Sequence, residues 1–134
     1  MARLVRDVMT PGVVTCQGDT ALVDVARLMV EHSTSAVAVV DAQGTLCGIV
    51  SLTDLVRASL HPQVAATAEL VMSSHVATAI PDIPIFAATQ MLLDRTVHQL
   101  IIQESPTSQR PVGILSMEDI VRDMARSATT KGDV

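Results

Sequence analysis

Ser51 and Asp54, and again Ser116 and Asp119, stand three residues apart at the end of glycine-led apolar runs, "GIVSLTD" at 48–54 and "GILSMED" at 113–119. A serine and a carboxylate at that spacing share one face of the first turn of a helix. The strand in "GIVSLTD" ends near Val50 and the helix begins near Ser51, which makes Ser51 a natural N-cap. Unpaired backbone N–H groups and the positive end of the helix dipole then gather beside it, an arrangement suited to a phosphate. The carboxylate can accept hydrogen bonds from vicinal hydroxyls, as the ribose-binding acid of dinucleotide folds does. A nucleoside phosphate would thus place its sugar on Asp54 and its phosphate toward Ser51 and Thr53, with Gly48 allowing close approach. Ser116 and Asp119 offer the same pair. A serine followed by an acid three residues on is also an ordinary helix cap. Its occurrence twice, in register, favours a site over a cap alone.

The elements that position these residues are themselves repeated. "VMT" at 8–10 matches "VMS" at 71–73, and "DTALVDVARLMVEH" (19–32) lies over "DIPIFAATQMLLDR" (82–95), both at an offset of 63. After a connection two residues longer, "GIVSLTDLVR" (48–57) matches "GILSMEDIVR" (113–122) at six of ten positions. Each half reads as strand, helix, strand, strand, helix. Leu22, Val25, Ala26 and Met29 share one face of an amphipathic helix capped by Asp19 or Thr20. Ile85, Ala88, Met91 and Leu92 repeat that face behind Pro84. "AVAVV" and "TLCGIV" flank the turn signal "DAQG" and predict an antiparallel hairpin, buried on both faces. In the second half "HQLIIQ" and "PVGIL" flank "ESPTSQR", read as a longer polar loop. The predicted organisation is a first repeat over 1–60, a linker over 61–68, a second repeat over 69–126 and a disordered tail over 127–134. Neither half can bury both faces of so small a sheet alone. The fold class is therefore α/β (α+β), two βαββα repeats packed about a pseudo-two-fold axis that leaves two equivalent clefts.

Composition narrows the function. The 134 residues are 49% hydrophobic, yet Phe86 is the only aromatic. A bound base would have to sit between aliphatic walls, and the missing stacking platforms speak against single-stranded nucleic acid. The net charge of −5 speaks against a phosphate-tracking surface. No apolar run is long enough to span a bilayer and the first residues carry no signal-like apolar stretch, so a cytoplasmic protein is expected. Cys16 and Cys47 form no metal or disulfide framework and read as buried, reduced thiols. His32, His61, His75 and His98 lack metal-ligand spacing. No nucleophile motif, P-loop or acid–base dyad stands out, so an enzyme is not expected, nor a required cofactor.

The repeat resembles the cystathionine β-synthase (CBS) domain, and the tandem is similar to a CBS pair, or Bateman module, over roughly residues 4–126. The motifs that carry the likeness are "DVMTPGVVT", "TSAVAVVDAQGTLCGIVSLTDLVR" and "HQLIIQ…RPVGILSMEDIVR", with Gly-h-h-Ser-x-x-Asp complete in both halves. The resemblance implies clefts that accept AMP, ADP, ATP or S-adenosylmethionine as regulatory ligands. By position, Asp54 and Asp119 would hold ribose, with Ser51, Thr53 and Ser116 near phosphate. Ser35 and His98, just before the second strand of each half, would contact ligand, and Ile49, Val50, Ile114 and Leu115 would wall the adenine. Ala38 and Ile101 stand where many members carry proline, and Glu118 replaces Thr53 in the second half. A carboxylate there repels phosphate, so the Asp54 cleft is expected to be the better one for phosphorylated ligands. The resemblance further implies a homodimer that signals through an effector protein or through self-association; the apolar faces of "LVRASL" (55–60) and "IVRDMAR" (120–126) are candidate contacts, equally explained as core. The alternative is a ligand-free dimerisation scaffold.

Overall fold

Apolar periodicity and paired turn signals produce the expected elements, with two short helices added. The computed structural model describes residues 3–63 and 66–131, with side chains to 126. The first half runs α1 (Val5–Val8), β1 (Thr10–Pro11), β2 (Thr15–Gln17), α2 (Leu22–His32), β3 (Ala36–Val40), β4 (Leu46–Ser51) and α3 (Leu52–Ala58). The second runs α4 (Ala68–Val71), β5 (Thr78–Ala79), α5 (Ile85–Asp94), β6 (Gln99–Ser105), β7 (Ser108–Ser116) and α6 (Met117–Lys131). The mixed α/β class and the βαββα order of each repeat hold. α6 extends to Lys131, into the expected tail, and residues 132–134 of that tail lie outside the described residues.

The chain divides into two compact units, and neither is one continuous stretch. One gathers Val13–Val76 with Gln109–Pro111; the other gathers the chain up to Gly12 with Ala77–Ser108 and the chain from Val112 onward. In the first unit the sheet order is β2-β3-β4, with β2 parallel and β4 antiparallel to β3. In the other it is β1-β7-β6-β5, with β5 parallel to β6 and β1 antiparallel to β7. The parallel ladders are tied at matched places: Ala38 N–H donates to Val14 O at 2.9 Å and Ile101 N–H to Ala77 O at 3.0 Å. Proline at either position would forfeit that bond.

α1 and α4 stand at equivalent places at the start of the two repeats, and each docks on the loop that enters a long helix. Val5 N–H donates to Ile83 O at 2.9 Å, and Ala68 N–H donates to Thr20 O at 2.9 Å. The segment that opens the first repeat therefore completes the unit of the second, and the segment that opens the second completes the unit of the first. Four-residue helices are too short to show a period in sequence.

Two separate cores follow the same repeat. Cys16, Val25, Met29, Val37, Val39, Val50 and Ala68 fill one, and the matching positions Ala79, Ala88, Leu92, Leu100, Ile102, Leu115 and Val5 fill the other. Each fully buried aliphatic side chain there contributes roughly 1.5–3 kcal/mol.

Three local expectations need correction. α2 begins after Ala21, and Thr20 accepts from Gln17 N–H at 3.1 Å instead of capping the helix. The stretch "ESPTSQR" is mostly strand: β6 and β7 continue through it and turn only at Pro106–Thr107. Its polar side chains stay solvated beside an intact ladder, Ser108 Oγ donating to Glu104 Oε1 at 2.9 Å. Cys47 is exposed, whereas Cys16 is buried. β3 separates the two cysteines, Val39 facing Cys16 on one side and Gly48 on the other. Two strand spacings exceed what a disulfide can bridge.

Candidate functional site

Ser51 ends β4 with extended backbone and caps α3. Its Oγ accepts from Asp54 N–H at 3.3 Å, while Asp54 Oδ2 accepts from Ser51 N–H at 2.8 Å and from Ser51 Oγ at 3.0 Å. This is a reciprocal capping box, with two orphan donors of the first turn satisfied at once. The second junction repeats it: Asp119 Oδ2 accepts from Ser116 N–H at 2.8 Å and from Ser116 Oγ at 3.1 Å. The cap reading and the site reading thus use different oxygens of one carboxylate, and Oδ1 decides what else each junction can do.

At Oδ1 the junctions part. Asp54 Oδ1 has Arg57 Nη1 at 3.6 Å, beyond hydrogen-bond reach. Asp119 Oδ1 accepts from Arg122 Nη1 at 3.1 Å and from Thr10 Oγ1 at 3.0 Å. An ionised carboxylate offers about four acceptor positions. All of those on Asp119 are taken, and the residue is 3% exposed. Asp54, with its side chain 16% exposed, keeps acceptor capacity on the outer oxygen.

The bend just before each hairpin delivers the neighbouring residue. Ser35 O accepts from Leu52 N–H at 3.1 Å, and His98 O accepts from Met117 N–H at 3.1 Å. Ser35, Ser51, Thr53 and Asp54 therefore assemble in one unit, and His98, Ser116 and Asp119 in the other. Ser35, His98 and Thr53 are exposed, and Ser51 and Ser116 are half-buried. Among the eleven residues singled out from sequence, Val50 and Leu115 depart from their expected role. Both lie wholly inside the two cores and present no wall to a ligand. Successive strand residues face opposite sides, so only Ile49 and Ile114, both half-buried, remain available as aliphatic surface.

The glycines admit backbone. A Cβ on Gly48 would stand 2.8 Å from Ser73 O, and one on Gly113 would stand 2.9 Å from Thr10 O. These are the crossing points at which Ser73 bridges Ile49 and β1 pairs with β7. Glu118, expected to repel phosphate, has a side chain 88% exposed with Arg122 Nη2 at 3.9 Å. Water and the guanidinium screen it, and the junctions differ further at Oδ1. Thr10, whose hydroxyl reaches Asp119, is the residue of this junction that sequence reading passed over. Its only signal was the "VMT"/"VMS" match, which shows a repeat and no contact. Among the described residues no cluster of His, Cys, Asp and Glu could hold a metal ion, and no helix is long and apolar enough to cross a membrane. Burial pushes the Cys16 thiol up, partly offset by a hydrogen bond with Thr20.

Comparison with known proteins adds three findings. A family model for the CBS domain matches residues 5–61 and 68–126. Among curated proteins, homoserine O-acetyltransferase of Methanococcoides burtonii is 32% identical over 118 residues, which is 88% of this chain and 23% of that protein. The chain thus spans about a quarter of that relative, and the acetyltransferase name belongs to the longer protein. Two crystal structures of the CBS domain pair of protein MJ0100, in complex with 5′-methylthioadenosine and S-adenosyl-L-methionine, superpose with TM-scores of 0.86 and 0.80 at 24% and 26% identity. They cover 95% and 90% of this chain and 99% and 98% of that one. CBSX2 from Arabidopsis thaliana, in complex with AMP, superposes with a TM-score of 0.81 at 22% identity, covering 92% of this chain and 97% of that one.

Proposed function

We propose that this chain, which belongs to the CBS domain family, is a regulatory module that binds an adenosine-containing ligand at the Asp54 junction. The observation that carries this reading is the outer oxygen of Asp54. It retains acceptor capacity beside Ser35, Ser51 and Thr53 after the capping box is complete. Vicinal ribose hydroxyls donate to that oxygen, the hydroxyls of Ser51 and Thr53 lie toward phosphate, and Ile49 supplies aliphatic surface to the base. AMP, ADP, ATP and S-adenosylmethionine all carry the diol this arrangement recognises. Ligand binding in the two CBS pairs named above supports the class and leaves the choice among these compounds to measurement.

Regulation then requires a state that the ligand prefers. In this reading the repeats, 1–60 and 69–126 about the 61–68 linker, act in the cytoplasm as a homodimer that passes its state to an effector protein. Exposed Val56 and Leu60 at the end of the first repeat, with Val121 and Met124 on α6, supply apolar surface for self-association. No catalytic role or required cofactor enters the proposal.

The test is thermal stability of the purified protein with AMP, ADP, ATP, S-adenosylmethionine and 5′-methylthioadenosine. A ligand at a hundred times its Kd adds about 2.7 kcal/mol. A rise in Tm with one of them, lost in Asp54→Ala, is the expected result. A folded dimer whose Tm none of them moves would instead identify the ligand-free scaffold.

A further inference from the structure

The hydroxyl of Thr10 occupies the place at Asp119 that is open at Asp54. Thr10 Oγ1 donates to Asp119 Oδ1 at 3.0 Å across 109 positions of sequence. Its counterpart by the repeat is Ser73, whose backbone exchanges hydrogen bonds with Ile49 at 3.0 and 2.9 Å while its side chain is exposed. The counterpart arginines are Arg122, 3.1 Å from Asp119, and Arg57, 3.6 Å from Asp54. Asp119 is thus a full acceptor and Asp54 is not, although Gly, Ser, Asp and Arg are common to the two junctions.

We infer that Thr10 is a built-in substitute for a ligand hydroxyl, a latch that closes the Asp119 junction and makes the chain a one-site binder. This rests on the proposed binding at Asp54 and goes further by naming the residue that sets occupancy. A diol can reach Asp119 only by displacing the Thr10 hydroxyl. Thr10 lies in β1, whose strand pairing places it opposite Ile114, and Gly12 N–H donates to Val112 O at 2.8 Å just beyond it. Arg3 binds Asp123 at 2.9 Å in the same unit. Release of the Thr10 hydroxyl therefore removes the side-chain tie between β1 and α6, while strand pairing and the burial of Val5 and Val8 still hold residues 3–12 in place.

Calorimetry with AMP, S-adenosylmethionine and 5′-methylthioadenosine as probes tests the latch on the full chain. The native protein should bind one molecule per chain. Thr10→Val should bind two, and Thr10→Val with Asp119→Asn should return to one. Two equal sites in the native protein, or one site in Thr10→Val, would overturn the latch and leave the Asp54 reading standing. If no probe binds either protein, the Asp54 reading falls and amide exchange judges the latch alone. Thr10→Val should then raise exchange at Gly12 about tenfold, the loss of one hydrogen bond to a charged acceptor, without change at Ile49. Unchanged exchange at Gly12 would refute the latch.

Discussion

The two Ser-x-x-Asp junctions share the motif, the cap geometry and even the arginine three residues beyond the acid, yet their carboxylates are loaded differently. At Asp54 one oxygen closes the cap and the other stays open; at Asp119 both oxygens are saturated and the residue is all but sealed from solvent. A motif fixes which groups are present, whereas a neighbour from outside the motif determines whether they have capacity left. Glu118, expected from sequence to set the junctions apart, is exposed and screened by bulk water, whereas the difference at Oδ1 lies in a buried and a half-buried residue.

Substitutions can break this comparison. The largest effect is expected for Asp119→Ala, which strips four donors of their acceptor and should lower unfolding free energy by about 2–4 kcal/mol. Asp54→Ala, measured in the same urea series, should cost about 1 kcal/mol. Equal losses would show that the saturation of Asp119 carries no energy. Ligand affinity should respond in the reverse order. Asp54→Ala should weaken the bound adenosine compound by about 10–100-fold, the worth of hydrogen bonds to a charged acceptor, while Asp119→Asn in the native background leaves its Kd within twofold, or about 0.4 kcal/mol.

Gly48→Ala and Gly113→Ala sharpen the comparison from the other side, because here the junctions are alike. Each new methyl meets a carbonyl oxygen closer than 3.0 Å, and each should cost about 1–3 kcal/mol by the same denaturation assay. A harmless Gly48→Ala would mean that Ser73 is free to move away from Ile49. The smallest effect belongs to Cys16. Its folded-state titration is raised by burial, so the stability gained by keeping the thiol neutral is full below the unfolded thiol value. That contribution is lost as pH rises through the folded value, because the unfolded chain ionises first. Stability should therefore fall modestly above the ordinary thiol range, and Cys16→Ala, which installs the residue found at the equivalent Ala79, should abolish that slope. Alkylation of the native protein should meanwhile modify Cys47 alone.

The βαββα order and the Ser51 cap were legible because each rests on local chemistry: apolar period, turn residues, and a serine with an acid three residues on. The assignment of Val50 and Leu115 as walls failed because adjacent strand residues cannot both face a ligand, a point the alternation of a strand already contains. The missed extension of β6 and β7 through "ESPTSQR" has another cause, since an exposed antiparallel ladder needs no apolar side chains to persist. The exchange of α1 and α4 was not legible. The repeat shows that the two segments are equivalent, and equivalence says nothing about which unit each completes. Thr10 was invisible for the same reason, its partner being 109 positions away.

That distance also sets a timetable for the chain as it is made. Residues 13–76 contain nearly all of one compact unit and can collapse once they have emerged, through contacts of short loop length. Residues 3–12 emerge earlier but find their strand partner and their carboxylate only after residues 112–119 have been added. This earlier-made segment is thus among the last to settle. Until then the apolar faces of Val5 and Val8, both destined for burial, are exposed to chaperones and to neighbouring nascent chains.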